Sequence, residues 1–128
     1  LQWAERNMQL NGFSGPEHSF VRADGRDFVR QLPETPYYDL AVVDPPTFSN
    51  SKDLVSDWIL QEHWAQLLND LLVRMKPGGE IYFSTNYRRF KFEADQLQAK
   101  TVHEISSQTV PDDFRNQRIH RCWLIQVP

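Results

Sequence analysis

Apolar side chains recur along the chain either in short continuous runs or at the spacing of one helix face. Residues 1–10 show the helical spacing, and Asn11 and Gly12 after them provide a C-terminal stop. The continuous run Tyr38–Val43 is typical of a central parallel strand that is covered on both faces. The widest helical pattern, at residues 55–75, predicts the longest helix, which the Lys-Pro-Gly-Gly sequence at residues 76–79 is expected to close.

The rest of the pattern alternates between strand-like and helix-like segments. Further strands are predicted at residues 18–23, 80–84, 101–109 and 120–127, and further helices at residues 26–32 and 92–99. This alternation favours a layered α/β fold with a mostly parallel sheet, and the last two strands, which have no helix between them, predict an antiparallel edge. A chain of 128 residues, 40% of them hydrophobic, is close to the size of one domain.

Charge is informative only locally. The net formal charge is -3, from 14 basic and 17 acidic side chains. This total does not indicate a nucleic-acid partner, because phosphate contacts need a basic face. Residues 87–92, however, alternate Arg and Lys with Tyr and Phe, and residues 115–121 hold a second group of basic side chains.

Several classes of protein are not expected. No apolar stretch approaches the roughly 18 residues of a membrane span. The chain also opens without a secretory signal pattern, so a cytoplasmic protein with no membrane partner is predicted. The single cysteine, Cys122, lies in an apolar run and is expected to be a buried structural thiol in a reducing compartment. The four histidines show no metal-ligand spacing with it, so no metal site is predicted.

The sequence after the predicted strand Tyr38–Val43 is the strongest candidate for chemistry. It reads Asp44-Pro45-Pro46-Thr47-Phe48. Ligands of open α/β sheets bind beyond the carboxyl ends of the strands. The two prolines fix backbone dihedrals and remove two N–H donors, so carbonyl oxygens can face a ligand, and Phe48 offers a ring on which a base can stack. A stiff turn without function is the alternative.

Asp-Pro-Pro followed by an aromatic resembles the strand-four motif of class I S-adenosylmethionine-dependent methyltransferases that act on nucleic-acid bases and similar planar nitrogen groups. The longer string at residues 44–52 is similar to one branch, the C-terminal methyltransferase half of the bacterial large-subunit rRNA methyltransferase K/L family. Three further stretches fit that branch: residues 1–7 with Asn11 and Gly12, residues 83–86 with Arg89 and Phe90, and residues 113–114 through 119–120 to 122–123. The resemblance covers essentially the whole chain.

The resemblance implies a Rossmann-like class I methyltransferase sheet with antiparallel last strands. It also implies S-adenosylmethionine as cofactor, large-subunit rRNA as partner and N7 of a guanine as the methyl acceptor. N7 carries an in-plane lone pair, so the transfer needs no base to remove a proton. The protein then has to position the reactants and stabilise charge.

Site residues follow from the same resemblance. Asp44, Pro45, Pro46 and Phe48 are the expected catalytic residues, and Asp44 would also lie near the methionine end of the cofactor. Asp24 would accept a hydrogen bond from the adenine amino group, although it is equally suited to cap the next helix.

The resemblance also suggests where RNA is bound. The expected RNA contacts are Asn50, Lys52, Arg88, Arg89 and Lys91. Solvated loops are the alternative at both places, with Phe90 and Phe92 packed inward in the second.

Elements that such a cofactor site needs are not found in the sequence. The five glycines form no G-x-G arrangement after an apolar strand, and no acidic residue ends a second strand. We therefore expect residues 1–128 to be the C-terminal portion of a single methyltransferase domain, without its first two strands and Gly-rich loop. Alone, this portion should be inactive and bind cofactor weakly or not at all. Its strands at residues 18–23 and 38–43 should then pair directly, or pair across a homodimer.

Three other functions remain open. An rRNA cytosine-C5 methyltransferase needs a nucleophilic thiolate, but the predicted strand end Phe83-Ser84-Thr85-Asn86 has no cysteine. Transfer to an exocyclic amine is the second alternative. A non-catalytic RNA-binding module that keeps only the fold is the third.

Overall fold

A computed structural model describes residues 1–49, 58–116 and 118–128. In chain order the elements are α1 (Gln2–Leu10), α2 (Gly25–Gln31), β1 (Tyr38–Val43), β2 (Phe48–Ser49), β3 (Trp58–Ile59), α3 (Leu60–Leu72), β4 (Met75–Thr85), β5 (Thr101–Glu104), α4 (Ser106–Thr109) and β6 (Arg121–Gln126), with a 3-10 turn at Ala94–Gln96. The predicted helices at residues 1–10 and 26–32 are confirmed as α1 and α2. The predicted strands at 38–43, 80–84 and 120–127 are confirmed as β1, part of β4, and β6.

Four strands form the main sheet in the order β1-β4-β6-β5. Strands β1 and β4 are parallel, whereas β6 is antiparallel to both of its neighbours. The α/β class and the antiparallel last strands are therefore confirmed. The expectation of a mostly parallel sheet is wrong, because only one of the three pairings is parallel.

Residues 18–23 form no strand, which corrects one prediction. The direct pairing of this segment with Tyr38–Val43 is wrong for the same reason. A strand persists only where its backbone N–H and C=O groups find partners, and in the described residues the outer edge of β1 has no neighbouring strand. Pairing of that edge across a homodimer stays a prediction.

Strand β1 is covered on one face only, so the prediction of cover on both faces is wrong. Ala41 and Val43 pack against the core. Leu40 and Val42 point the other way and are 57% and 74% exposed. Alternation of this kind is expected where one face of the sheet is open to solvent, because successive side chains of a strand point to opposite faces.

The core lies between α3 and the covered face of the sheet. Helix α3 buries six side chains there: Leu60, Trp64, Leu67, Leu68, Leu71 and Leu72. Opposite them β4 contributes Ile81 and Phe83, both fully buried. An aromatic cluster fills the end of this core nearest the carboxyl end of β4, and in it the rings of Phe92 and Trp123 stack with centroids 4.6 Å apart. Burial of such large rings dominates the energetics of a small domain.

Helix α3 is shorter than its sequence pattern predicts. It begins at Leu60 instead of residue 55, because Trp58 and Ile59 pair antiparallel with Phe48 and Ser49. Residues 55–57 of the predicted helix lie outside the described residues. At its other end the helix stops at Leu72, three residues before the predicted end.

The Lys-Pro-Gly-Gly sequence belongs to β4. The prediction that it closes the helix is therefore wrong. Residues 76–79 bulge out of the pairing between β1 and β4. Gly78 has a φ of 76°, which favours glycine. At Gly79 a Cβ atom would lie 3.0 Å from the carbonyl oxygen of Asp39 and 2.9 Å from that of Lys76. The two glycines thus allow the strand to bend close to β1.

Two late predictions are only partly right. The helix predicted at residues 92–99 is the single 3-10 turn Ala94–Gln96. The strand predicted at residues 101–109 ends at Glu104, and Ser106–Thr109 form the short helix α4.

Arg74 joins several elements on the side of the sheet away from Asp44. Its side chain is 4% exposed and donates hydrogen bonds to the carbonyl oxygens of Arg30, Leu32 and Asp70. Its own carbonyl oxygen accepts hydrogen bonds from the backbone of Tyr37 and Tyr38. One residue therefore holds the end of α2, the end of α3 and the start of β1 together.

Candidate active site

Asp44 lies directly after β1, at the rim of the sheet and not on a helix. Because Val43 pairs with Phe83, the next residues of the two parallel strands, Asp44 and Ser84, lie side by side. Ser84 donates a hydrogen bond from Oγ to Asp44 Oδ1 over 2.8 Å. Asp44 is otherwise exposed, so its carboxylate remains accessible to a ligand.

The two prolines begin a loop that is fixed at several points. The Pro46 carbonyl oxygen accepts a hydrogen bond of 2.6 Å from Trp58 Nε1. Thr47 accepts one from the backbone N–H of Leu60 through its carbonyl, and donates one to Asn86 Oδ1 through its hydroxyl. The Pro46 carbonyl, expected from the sequence to face a ligand, is therefore already bonded within the chain. Its effect is to hold Pro46 against Trp58.

Asp24 occupies the N-cap of α2. Its Oδ1 accepts hydrogen bonds from the backbone N–H groups of Arg26 and Asp27, and its Oδ2 lies 3.3 Å from the Arg26 guanidinium. Burial would raise the pKa of Asp24, but these hydrogen bonds outweigh it and hold the pKa below its usual range. Asp24 is thus a charged helix cap.

A first cavity joins Asp24 to the sheet rim. This Asp24 cleft has a volume of about 430 Å³, and its lining includes Asp24, Arg26, Val42, Asp44, Pro45 and Trp58. The Arg26 guanidinium lies over the Trp58 ring, 5.5 Å from its centroid. The lining therefore combines two carboxylates, of Asp24 and Asp44, and the Arg26 cation with apolar side chains.

A second cavity lies on the other side of the two prolines. This Asp44 cleft has a volume of about 670 Å³, and its lining includes Asp44, Pro46, Phe48, Ser84, Asn86 and His120. Phe48 is 65% exposed, and its ring centroid lies 6.2 Å from that of Tyr87. Asp44, Pro45 and Pro46 line both cavities, so the two cavities adjoin at these residues.

The predicted RNA contacts are more scattered than the predicted catalytic residues. Arg88, Arg89 and Lys91 are all exposed. The backbone of Lys91 exchanges hydrogen bonds with the Gln61 amide, which ties this segment to α3. Asn50 and Lys52 lie outside the described residues.

Two aromatic residues between these cations are part of the core. Phe90 is 3% exposed, and Phe92 packs against Trp64 and Trp123. Neither ring can stack on an unpaired base, so the inward-packed alternative for Phe90 and Phe92 is the one observed.

Cys122 is nearer to the site than its sequence position suggests. It pairs with Ser84 across β4 and β6, and it is 5% exposed. Burial raises the pKa of the Cys122 thiol, and the charge of Asp44 raises it further. The expectation that Cys122 is buried is confirmed.

Sequence reasoning missed Arg26, Trp58, Ser84, Asn86 and His120 as site residues. Ser84 and Asn86 sit at the end of β4, beside the strand that ends in Asp44, so their position could have been inferred from the parallel pairing. His120 follows Asp44 by about 75 residues in the sequence and lies in the loop before β6, and no local pattern predicts its place in the site.

Neither a membrane-spanning helix nor a metal-binding group is found among the described residues. No helix in that part of the chain is long and apolar enough to cross a membrane. Within the same residues, no group of three or more His, Cys, Asp or Glu side chains is placed to hold a metal ion.

Structural comparison relates the fold to methyltransferases. SMU.776, described as a methyltransferase and crystallised with SAH, superposes on 95% of this chain with a TM-score of 0.66 at 17% identity, which covers 35% of that protein. TrmN from Thermus thermophilus matches 99% of this chain with a TM-score of 0.56 at 18% identity, over 33% of its own length. At these identities the match establishes the fold.

Sequence comparison gives a narrower relationship, although no protein-family profile matches the chain. The chain is 46% identical over 127 residues to ribosomal RNA large subunit methyltransferase K/L of Hahella chejuensis, and 43% identical over 129 residues to that of Magnetococcus marinus. Each alignment covers 98% of this chain but only 17% and 18% of the respective relative. Almost end to end, the chain is therefore a homologue of one segment of the ribosomal RNA large subunit methyltransferase K/L family, with the fold of the S-adenosylmethionine-dependent methyltransferases.

Proposed function

We propose that the chain forms part of a single methyltransferase domain that transfers a methyl group from S-adenosylmethionine to N7 of a guanine in large-subunit rRNA. One observation carries the proposal. Asp44, Pro45 and Pro46 are shared by the linings of two adjoining cavities. A methyl donor in one cavity and a flat base in the other would meet beside these residues. Because rRNA is the substrate, the site of action is the cytoplasm.

The Asp24 cleft suits the donor. Asp24 can accept a hydrogen bond from an adenine amino group, and Asp44 lines the same cleft and would stabilise a positive charge there. The apolar side chains of the lining suit a purine ring. SMU.776 was crystallised with SAH, which is consistent with a donor of this class. When bound, S-adenosylmethionine would supply an electrophilic methyl group.

The Asp44 cleft suits the acceptor base. Phe48 is exposed beside it and offers a ring face for stacking. The Thr47 to Asn86 hydrogen bond and the β2–β3 pairing fix this part of the loop. The Asp44 carboxylate, oriented by Ser84, lies where donor and acceptor would meet. In this proposal the chain contributes position and charge and removes no proton from the base.

A ring nitrogen is favoured over a ring carbon as the acceptor. Attack on the pyrimidine ring needs a thiolate. The end of β4 has no cysteine, and Cys122 is buried with a raised pKa. Contacts with the RNA backbone are proposed for five side chains that each carry a cation or an amide and follow a strand of the site: Asn50, Lys52, Arg88, Arg89 and Lys91.

The test uses the product of the full natural reading frame that contains these residues. Large-subunit rRNA from cells that lack the gene is incubated with the protein and radiolabelled S-adenosylmethionine, and the product is mapped by mass spectrometry. We expect one methyl group on N7 of a guanine, and loss of at least a hundredfold in kcat/KM in Asp44→Ala. Lys100→Ala, at the opposite end of the sheet, serves as control. A methyl group on cytosine C5 or an exocyclic amine, or no methylation at all, would contradict the proposal.

A further inference from the structure

A third cavity lies beside the Asp44 cleft. This Arg118 cleft has a volume of about 500 Å³ and is formed where the segment after β4 faces the loop before β6. Its lining includes Asn86, Tyr87, Arg88, Asn116, Arg118 and Arg121. It is therefore surrounded by polar and basic side chains.

The charges of this cleft are not balanced internally. Glu104 is its one acidic lining residue among the described residues, and Arg121 binds it with two hydrogen bonds of 3.0 and 2.9 Å. Arg121 is further held by the Phe90 carbonyl oxygen and lies over the Trp123 ring. The hydrogen bonds from Arg121 hold the pKa of Glu104 below its usual range against the opposing effect of burial. Both side chains are therefore charged, and their charges cancel.

Two cations remain available in the cleft. Arg88 and Arg118 line it, and neither forms an ion pair with any residue in the described part of the chain. Both are exposed. The cleft therefore has a net positive charge and two guanidinium groups free to bind an anion, for which Arg is well suited.

The Arg118 cleft and the Asp44 cleft adjoin each other. Thr85, Asn86 and His120 line both of them. Thr109 Oγ1 and His120 Nε2 lie 2.8 Å apart, which holds the imidazole in this shared wall. Tyr87 in one cleft and Phe48 in the other form a tilted ring pair. A ligand that entered the Asp44 cleft as part of a polymer would extend directly into the Arg118 cleft.

We propose that the Arg118 cleft binds the nucleotide next to the target base, with Arg88 and Arg118 on its phosphodiester and the Tyr87 ring beside its base or ribose. The proposal rests on the proposed function in taking RNA as the polymer. Its own basis is the positive, aromatic-edged cavity that adjoins the base cleft. Binding of single-stranded nucleic acid commonly combines such a groove with aromatic side chains.

The test is a binding measurement that does not require catalysis. The full natural protein is titrated into a fluorescein-labelled single-stranded RNA of about 12 nucleotides, a length comparable to the site sizes of known single-strand-binding domains, at several salt concentrations. Removal of one phosphate contact should raise Kd about fourfold at 0.15 M salt and reduce the magnitude of the log Kd against log salt slope by about 0.7. We expect this for Arg118→Ala and for Arg88→Ala, and about twice the change in slope for the double variant.

Controls separate a local subsite from general electrostatics. Lys100→Ala removes an exposed cation at the opposite end of the sheet and should bind as the wild type does. Arg118→Lys keeps the charge and should restore the salt slope. The proposal is overturned if Arg118→Ala and Arg88→Ala bind as the wild type does, or if Lys100→Ala weakens binding equally.

A methylation assay adds an arm that is independent of the binding result. With large-subunit rRNA, Arg118→Ala should raise KM for RNA and leave kcat within twofold, since it acts on the neighbouring nucleotide. A wild-type protein that binds RNA through Arg118 but methylates no rRNA would contradict the proposed function and leave the subsite standing. A fall in kcat at unchanged KM would overturn the subsite.

Discussion

Ser84 donates a hydrogen bond of 2.8 Å to Asp44 and so joins the carboxyl ends of the two parallel strands β1 and β4. The pair is exposed on the side facing the Asp44 cleft. It therefore orients the one carboxylate that both candidate ligand cavities share.

The first prediction concerns this orientation. Ser84→Ala removes the donor and should lower kcat about tenfold in the methyl-transfer assay, because the Asp44 carboxylate gains rotational freedom. The free energy of unfolding should change by no more than about 1 kcal/mol, since the hydrogen bond is exposed to water. Ser84→Thr keeps a hydroxyl and should retain most of the activity. Equal kcat in Ser84→Ala and the wild type would show that the hydrogen bond is incidental.

The second prediction concerns pH and Asp24. Its pKa is lowered in the folded chain, so folding favours the charged carboxylate. The associated stability is present above the ordinary Asp pKa of about 3.9 and is lost as pH falls further through the lowered value. Asp24→Asn keeps an effective helix cap but cannot ionise.

Urea midpoints measured between pH 2 and 7 test this linkage. Asp24→Asn should be less stable than the wild type at neutral pH, and the difference should shrink towards zero at the acid end. A difference that stays constant with pH would mean that the Asp24 charge does not contribute to stability. Asp24→Ala is the companion variant, and it should lose a further ~1 kcal/mol at every pH because the cap is lost.

The third prediction compares two phenylalanines near the same end of the sheet. Phe90 is 3% exposed in the aromatic cluster, whereas Phe48 is 65% exposed at the Asp44 cleft. Phe90→Ala should lower the free energy of unfolding by ~3–5 kcal/mol. Phe48→Ala should change it by less than ~0.5 kcal/mol.

The effect on activity should be larger for Phe48→Ala than for Phe90→Ala, when the assay is run under conditions in which both variants are folded. Phe48→Ala is expected to raise KM for rRNA at least about fivefold, since one base–aromatic stack contributes ~1–3 kcal/mol. Equal KM values for Phe48→Ala and the wild type would remove Phe48 from the base site.

The fourth prediction concerns the open edge of β1. The 128-residue chain produced alone should form dimers, because an unpaired edge strand with exposed Leu40 and Val42 is a template for pairing. Val42→Lys should shift sedimentation to the monomer. Val73→Lys, at the end of α3, places the same charge on another exposed valine and should leave the dimer intact. A monomeric wild-type chain at all concentrations would exclude this pairing.

The fold was predictable wherever local pattern and long-range pairing agree. The sequence predicts β1 from a continuous apolar run and α2 from a capped helical segment, because each pattern is complete within a few residues. The prediction of a strand at residues 18–23 is wrong because local composition shows only that a segment would suit a strand, and a strand also needs a partner. Helix α3 was placed too early because the pairing of Trp58 with Ser49 is invisible to a periodicity argument.

The same limit applies to the site. Asp44, Pro45, Pro46 and Phe48 were placed together because they are consecutive or nearly so. His120 and Arg118 reach the site only through the antiparallel return of β6, and Arg26 only through its contacts with Asp24 and Trp58. Residues that reach a site through long-range folding cannot be assigned to it from the local sequence.

Arg74 lies at the end of the sheet opposite the candidate site. Its planar guanidinium donates to three carbonyl oxygens at the ends of two helices, α2 and α3, and a lysine, with a single ammonium group, could not replace that geometry. Helix α2 begins at Asp24 and ends at this anchor, and β1 starts at the same anchor and ends at Asp44. Arg74 therefore anchors the two elements whose other ends carry Asp24 and Asp44. Under the proposed function, an Arg74 substitution is expected to alter the spacing of these two carboxylates and so to weaken donor binding as well as stability.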